Sequence, residues 1–180
     1  MRTIEKWNKN GIAHALKQLS PRLRQDVQQH PAPKGLIMES RYIYGPTHSG
    51  KTVLMAHMYL QAMQEAYLKA VPYSILFINI SDLFQQIKQT YNKESQLIEQ
   101  DLLIRYGRCD ILFLDELGVE KSTEWVMDIL YNIINTRYEQ LLPMVITSNF
   151  SLKQLAAKLN DDRITSRIER MCIPTIKKPF

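Results

Sequence analysis

The stretch GPTHSGKT, from Gly45 to Thr52, constrains the fold of this chain more than any other part of it. It fits the pattern G-x-x-x-x-G-K-[ST], which arises by chance in a chain of this length on the order of once in a hundred sequences. The residues before it, RYIY at 41–44, predict a short strand, and apolar residues after Lys51 recur at helical spacing. A strand, a glycine loop and a helix in this order are typical of a loop that holds phosphate groups.

The groups that this loop offers suit a nucleotide with Mg²⁺. Gly45 and Gly50 let backbone amides face the phosphates, Lys51 reaches the β and γ oxygens, and the Thr52 hydroxyl can ligate Mg²⁺. His48 stands where many such loops carry glycine, and we assign it no catalytic role. The residues expected to contact the nucleotide are Gly45, Pro46, Thr47, His48, Ser49, Gly50, Lys51 and Thr52. The alternative is a glycine turn that binds nothing.

Strands and helices are predicted to alternate along the rest of the chain. Apolar runs predict further strands at 74–80, 110–116 and 143–149, with 172–178 as a candidate fifth strand. Helices are predicted from Lys51 to the Val71-Pro72 pair, from Ser81, over 123–140, and from Ser151, which forms a capping box with Gln154. This alternation indicates an α/β fold with a parallel sheet, whose ligands bind at the carboxyl ends of the strands.

Two of the predicted helices have an apolar face, and we expect that of the helix at 123–140 to point inward. For the helix after the glycine loop, the residues expected on the apolar face are Val53, Ala56, Leu60, Met63 and Tyr67. For the helix at 123–140, they are Val126, Ile129, Ile133 and Tyr138.

Asp115 and Glu116 end one of the predicted buried strands, which places both carboxylates at the rim of the sheet. Asp115 suits a magnesium site shared with Thr52, and Glu116 can polarise a water for attack on the γ-phosphate. The alternative is an acidic turn before Gly118.

The next strand ends in Thr147, Ser148 and Asn149, at the same rim. A polar side chain there can hold the attacking water and sense the γ-phosphate. Taken alone, these three residues are equally typical of an ordinary turn before a helix.

Arg163, Arg167 and Arg170 recur at steps of four and three residues, so all three project from one side of a predicted helix. Such a stripe is commonly a solvated face with acidic partners. The functional alternative is an arginine finger, a planar cation supplied to the γ-phosphate of a neighbouring subunit.

Length and charge suggest one domain with a basic leader. The 180 residues suit a single core, and the segment HPAPKG at 30–35 marks a boundary between a short basic helical leader, 1–35, and the core, 36–180. We expect leader helices at 3–19 and 21–29. Residues 1–35 carry seven Lys and Arg against two acids, and residues 153–180 carry seven against three. This excess permits contact with nucleic acid without establishing it.

Other features exclude several classes of protein. The chain has no apolar run of membrane length and no signal-peptide pattern, so we expect a cytoplasmic protein with no membrane partner. Cys109 and Cys172 form no zinc or disulfide pattern, and we expect both to be reduced and packed at strand ends.

Four blocks together resemble the DnaC/DnaI type of bacterial helicase loader, a branch of the AAA+ ATPases. These blocks are GPTHSGKT, CDILFLDELGVEKSTEW, IINTRYEQLLPMVITSNFSLKQLAAKL and RITSRIERMC. The resemblance covers roughly residues 36–178. It implies a P-loop NTPase of AAA+ type with a five-stranded parallel sheet flanked by helices. Because the chain stops at Phe180, we expect the helical lid to be absent or vestigial, and hydrolysis to be slow and switch-like.

The resemblance also implies site residues, cofactors and partners. The residues with implied roles are Lys51 and Thr52 of Walker A, Asp115 and Glu116 of Walker B, Asn149 as sensor 1, and Arg167 as the finger with Arg163 close by. The implied cofactors are ATP and Mg²⁺. The implied partners are a replicative helicase, single-stranded DNA, and further copies of the chain assembled with ATP through Arg167 in trans.

The helix after the second strand contains a candidate surface for single-stranded DNA. Phe84, Lys88 and Tyr91 fall at i, i+4 and i+7, which stacks an aromatic, a cation and an aromatic on one face. Thr123 and Trp125, at the start of the 123–140 helix, are further candidates. The alternatives are burial of Tyr91 beside Ile87 and core packing of Trp125.

Three other functions remain open at this point. An IstB-like ATPase that selects targets for a transposase has similar core motifs. An adaptor that keeps its nucleotide and never hydrolyses it would need no catalytic Glu116. A P-loop kinase would need an acceptor pocket and a lid. Family members usually carry an N-terminal domain that docks on the helicase, whereas here about 35 residues precede the core.

Overall fold

The computed structural model describes residues 13–33, 39–70, 72–91 and 98–177. Within these ranges, no helix is long and apolar enough to cross a membrane. Several predicted features fall elsewhere: the leader helix before residue 13, the boundary at 35/36, Val71 at the end of the first core helix, and residue 178 of the candidate fifth strand. They lie outside the described residues.

Five strands in the described part of the chain form one sheet in which every neighbouring pair is parallel. They are β1 (Arg41–Tyr44), β2 (Ile75–Asn79), β3 (Ile111–Leu117), β4 (Met144–Ser148) and β5 (Ile173–Ile176). Their order across the sheet is β2-β3-β4-β1-β5. The predicted five-stranded parallel sheet is confirmed, with strand ends within one or two residues of prediction. Because β4 lies between β1 and β3, the carboxyl ends of these three strands form one site.

Eight helices flank this sheet among the described residues. They are α1, described over 13–18, α2 (Pro21–Gln29), α3 (Lys51–Lys69), α4 (Ile80–Gln89), α5 (Glu99–Arg108), α6 (Glu124–Glu139), α7 (Leu152–Leu159) and α8 (Arg163–Met171). The predicted capping box of Ser151 and Gln154 begins α7, and Thr123 caps α6. Helix α5 was not predicted, because few apolar residues mark its buried face.

Alternation along the strands divides the core into two layers. Residues such as Leu112 and Leu114 of β3 face the layer formed with α4 to α8. Phe113, between them, faces the other layer, where it packs edge-on against Tyr59 of α3. Leader residues Ala15, Leu19, Leu23 and Val27 are buried in this second layer.

The predicted apolar face of α3 borders the face that the sheet covers. Ala56 is fully buried, and Val53, Leu60 and Met63 are half-buried against the second core layer. The fully buried residues beside them are Met55, Met58, Tyr59, Ala62 and Ala66. Small alanines let the helix lie close to the sheet, which apolar spacing alone does not reveal. In α6 the predicted inward residues Val126, Ile129 and Ile133 are buried, and Tyr138 is half-buried.

A fully buried arginine joins α6 to the end of α5 and the start of β4. Arg137 is 0% exposed and donates from Nη1 to the carbonyls of Tyr106 and Cys109, at 3.1 and 2.8 Å, and from Nη2 to that of Pro143 at 2.5 Å. Two of these carbonyls lie at the negative end of the α5 dipole. Cys109 and Cys172 are buried free thiols, as expected, and burial raises the pKa of both.

Replacing Arg137 with Met should destabilise the fold strongly, because Met fills the space but removes the donor to the carbonyls of Tyr106 and Cys109, in bonds that are buried. We expect the free energy of unfolding to fall by about 3 kcal/mol or more. Urea denaturation followed by circular dichroism measures this. The matched control is Arg108→Met, an exposed residue at the end of α5, for which we expect a change of about 0.5 kcal/mol or less. Equal effects of the two substitutions would contradict the structural role of Arg137.

Candidate nucleotide site at the carboxyl ends of β1, β3 and β4

The loop between β1 and α3 is held open by close backbone contacts. The Gly45 amide donates to the Ser148 carbonyl at 3.3 Å, and a Cβ on Gly45 would lie 2.1 Å from the carbonyl oxygen of Lys177. Glycine is therefore required at this position. The Ser49 hydroxyl is buried and, among the described residues, has no hydrogen-bond partner. A loop with a free hydroxyl at the amino end of a helix is suited to an anion.

Lys51 lies folded back into this loop. Its Nζ donates to the carbonyls of Gly45 and Pro46 at 2.9 and 2.7 Å. Burial lowers the pKa of Lys51, while the nearby carboxylates of Asp115 and Glu116 act in the opposite direction. Phosphate oxygens entering the loop can replace the two carbonyls as partners of the ammonium group.

Asp115 joins three elements of the site. One carboxylate oxygen, Oδ1, accepts hydrogen bonds from the Thr52 hydroxyl at 3.0 Å and from the Thr147 hydroxyl at 2.5 Å. Asp115 is 5% exposed, and this burial raises its pKa to about 6, although both hydrogen bonds oppose the shift. Within the described residues, no cluster of three His, Cys, Asp or Glu could hold a metal ion alone.

The donor set nevertheless fits Mg²⁺. This cation prefers oxygen ligands and is commonly held by one or two protein groups together with substrate phosphates and water. Asp115 and Thr52 supply a carboxylate and a hydroxyl beside the loop. They are the residues that would hold the ion.

Glu116 faces the site through a local distortion of β3. The pairing of β3 with β4 shifts between Leu114 and Leu117, and Glu116 has a φ of 65°, a left-handed conformation that side chains rarely adopt. The irregularity leaves Asp115 buried and Glu116 exposed. Strain of this kind is concentrated at functional sites.

Two partners of Glu116 fix its position. Its backbone amide donates to the Thr147 hydroxyl at 2.9 Å, and its carboxylate accepts from the Asn79 side-chain amide at 2.8 Å. Asn79 was not predicted as a site residue. The signal that could have found it is its place as the last residue of β2, paired with Asp115 across the sheet.

A cavity of about 290 Å³ brings most of the predicted residues together. Its lining comprises Thr47, His48, Ser49, Gly50, Lys51, Thr52, Val53, Glu116, Ser148 and Asn149. Asn149 follows β4 directly and lines this cavity together with Glu116. Arg163 and Arg167 lie on α8, away from this cavity and against α6.

The candidate DNA residues divide into a buried and an exposed group. Phe84 is 5% exposed and packs in the core against Trp125, so its predicted place on a stacking surface was wrong. Tyr91 is 58% exposed and accepts a hydrogen bond from Trp125 Nε1 at 2.9 Å, while Lys88 Nζ lies 5.5 Å from the Trp125 ring centroid. We call Lys88, Tyr91 and Trp125 the aromatic cluster. The Thr123 hydroxyl is engaged in capping α6.

The raised pKa of Asp115 predicts how stability depends on pH. An unfolded aspartate has a pKa near 3.8, whereas that of folded Asp115 is about 6. The folded state therefore binds the proton more tightly, and the nucleotide-free protein loses stability as pH rises between these values. Asp115→Asn lacks this titration. We therefore expect the free energy of unfolding of Asp115→Asn, minus that of the parent protein, to be about 1 kcal/mol larger at pH 7 than at pH 5. Urea denaturation at both pH values measures this, and an equal difference at both would contradict the prediction.

Comparisons with known proteins identify relatives of this chain. A family model described as "IstB-like ATP binding protein" matches residues 39–172. The phage-like element PBSX protein XkdC of Bacillus subtilis (strain 168) is 22% identical over 176 residues, which cover 94% of this chain and 61% of XkdC. The replicative helicase loader DnaI of the same strain is 27% identical over 115 residues, covering 63% of this chain and 34% of DnaI. The chain thus spans less than two thirds of either relative.

The crystal structure of DnaI shows the same fold, with a TM-score of 0.61 at 24% identity, covering 90% of this chain and 86% of that one. A crystal structure of the DnaC helicase loader matches with a TM-score of 0.60 at 24% identity, covering 87% of this chain and 86% of that one. The predicted P-loop fold of AAA+ type is therefore confirmed. The family model covers most of the chain, including the loop at 45–52 and the buried Asp115. This protein therefore belongs to the IstB-like ATP binding protein family.

Proposed function

We propose that this protein binds and hydrolyses ATP as a switch and loads or regulates a replicative helicase during DNA replication in the cytoplasm. The observation that carries the proposal is a cavity lined by both the phosphate loop and the exposed Glu116, with the buried Asp115 hydrogen-bonded to Thr52 of that lining. Relatives named replicative helicase loaders support the biological role. In this proposal, residues 1–35 are a basic leader and 36–180 the ATPase core.

The site residues have distinct tasks in this proposal. The loop amides and Lys51 bind the phosphates. Asp115 and Thr52 would hold Mg²⁺, which would supply positive charge against the negative charge that builds up on the phosphate oxygens. Glu116 orients a water and takes its proton as the water's oxygen bonds to the γ-phosphorus and the bond to the β-phosphate oxygen breaks. Asn149 holds the same water. The products are ADP and inorganic phosphate.

Two contacts of the site change before this reaction in the proposal. Lys51 exchanges the Gly45 and Pro46 carbonyls for phosphate oxygens, and the Glu116 carboxylate leaves Asn79 for the water. Each change accompanies ATP binding here, so each is a means of sensing ATP. Arg167, on α8, is the cation supplied to the site of a neighbouring copy, with Arg163 beside it, and hydrolysis therefore depends on assembly.

Single-stranded DNA is the proposed partner of the aromatic cluster. Tyr91 and Trp125 offer ring faces for bases, and Lys88 beside them offers a cation for the backbone. Thr123 lies next to the cluster and is exposed.

A second candidate function is favoured by the family match itself. The matched model describes an IstB-like protein, so an ATPase that selects DNA targets for a transposase would use the same nucleotide site. This function needs ATP and DNA but no helicase.

Helicase binding tests the proposed function directly. We expect the protein to co-elute with the replicative helicase of its host in size-exclusion chromatography when ATP and Mg²⁺ are present, and not when nucleotide is omitted. Glu116→Gln, which can still accept from Asn79 but cannot take the proton, should bind ATP, hydrolyse it at least about a hundredfold more slowly, and hold the complex longer. Lys51→Ala should bind neither ATP nor helicase.

The two variants separate the alternatives. If Glu116→Gln behaves as the parent protein in both hydrolysis and complex lifetime, the protein is a nucleotide-bound adaptor. If no condition gives co-elution but ATP and DNA still bind together, the transposase helper becomes the better reading.

The aromatic cluster predicts the DNA affinity of two variants. Replacing either Tyr91 or Trp125 with Ala removes one stacking ring, and we expect the affinity for a fluorescent oligo-dT to fall about fivefold or more, since stacking contributes about 1–3 kcal/mol per base. Fluorescence anisotropy with ATP present measures this. The control is Tyr73→Ala, an exposed tyrosine before β2, at the opposite rim of the sheet. Equal losses in all three variants, or none, would exclude the cluster as the DNA contact.

A further inference from the structure

Arg167 is fixed in one orientation within its own subunit. Its Nε donates to Asn135 Oδ1 at 2.6 Å, Nη1 to the Arg163 carbonyl at 2.9 Å, and Nη2 to the Tyr131 hydroxyl at 3.0 Å. The guanidinium carbon lies 4.7 Å from the ring centroid of Tyr131 and 5.8 Å from that of Tyr138. These contacts with described residues use three of the five N–H groups of an arginine, which leaves one on each terminal nitrogen.

The charge of Arg167 is nevertheless not neutralised by a close carboxylate. Its three hydrogen-bond acceptors are an amide, a carbonyl and a hydroxyl, and no ion pair within the described part of the chain includes it. Arg163, one turn earlier, makes a bidentate contact with Asp161 at 2.7 to 3.2 Å. Of these two arginines, Arg167 is therefore the one that offers a full positive charge to an external anion.

The contacts come from matching stripes on two helices. Tyr131, Asn135 and Tyr138 fall at i, i+4 and i+7 of α6, and the three arginines have the same spacing on α8. The helices are already packed by Ile164 and Ile168, which are both fully buried. The polar contacts of Arg167 are thus additional to what holds α8 in place.

We propose that Tyr131 and Asn135 are positioning residues, which hold Arg167 in the orientation in which it enters the nucleotide site of a second copy of this chain. The inference rests on the proposed function, because it needs Arg167 to act in trans. An arginine has about 2 kcal/mol of rotamer entropy to lose on binding a phosphate. Stacking on Tyr131 and the bond to Asn135 remove most of that freedom before the subunits meet.

Substitutions of Tyr131 and Asn135 test this role. Tyr131→Leu keeps apolar contact with α8 but removes the ring face and the hydroxyl, and Asn135→Ala removes the acceptor of Nε. We expect kcat of the ATP-assembled protein to fall about 10- to 100-fold in each, because misplacement of a catalytic group by about 1 Å has effects of this size. KM for ATP, assembly size and thermal stability should change little. Tyr131→Phe, which keeps the stacking face, should recover most of kcat.

Mixing two variant proteins distinguishes misplacement of Arg167 in trans from a loss of folded structure. Lys51→Ala lacks a working nucleotide site but keeps its arginine, whereas Tyr131→Leu keeps the site but misplaces the arginine. Each protein alone should hydrolyse slowly, and an equimolar mixture should hydrolyse faster than the sum of the two. Tyr73→Leu, an exposed tyrosine remote from α8, is the matched control and should behave as the parent protein in every assay.

The outcomes separate this inference from the proposed function. If Arg167→Ala is inactive but Tyr131→Leu and Asn135→Ala hydrolyse as the parent protein does, the positioning role is overturned and the trans arginine stands. If the mixture shows no gain and Tyr131→Leu melts at a lower temperature, the tyrosine is structural and the inference is overturned. If Arg167→Ala hydrolyses normally, the trans arginine fails and the positioning role fails with it.

Discussion

The two hydrogen bonds to Asp115 hold the nucleotide site together. Thr52 comes from the first turn of α3 and Thr147 from β4, and both donate to the same carboxylate oxygen on β3. The Thr147 hydroxyl also accepts from the amide of Glu116, so one threonine sets the position of both acids. The arrangement is possible because β4 lies between β1 and β3 in the sheet. Burial of the Asp115 carboxylate raises its pKa, so keeping it ionised lowers the free energy of unfolding. A bound cation would offset this loss of stability.

Helix α6 connects this site to the proposed subunit contact. It begins eight residues after Glu116 and presents two different faces. One is buried and carries Ile133 and Arg137, and the other carries Tyr131 and Asn135 beside Arg167. Because a single helix carries both, Arg167 is held in a fixed relation to the acids of the same subunit. In the proposed assembly, this relation links the nucleotide site of one subunit to the site that its arginine enters.

Local chemistry explains why much of the fold and site was predictable. The glycine loop has a specific residue pattern, β3 is continuously apolar before Asp115, and Ser151 with Gln154 marks the start of α7. Each signal is contained within about ten residues, so no knowledge of distant contacts is needed. A prediction that failed depended on distant packing. Phe84, predicted on a stacking surface, lies in the core because Trp125 packs against it.

The sequence alone determined the phosphate loop, the alternation of strands and helices, and the order of the acids and arginines along the chain. These depend on residue type and spacing, which short-range sterics and hydrogen bonding translate directly into structure. The tertiary structure alone decided that Thr147 bridges Asp115 and Glu116, that Asn79 bonds to Glu116, and that Arg167 donates to Tyr131 and Asn135. Each of these contacts joins elements far apart in the chain, and strand order and helix packing, rather than any local pattern, bring their atoms within hydrogen-bonding distance.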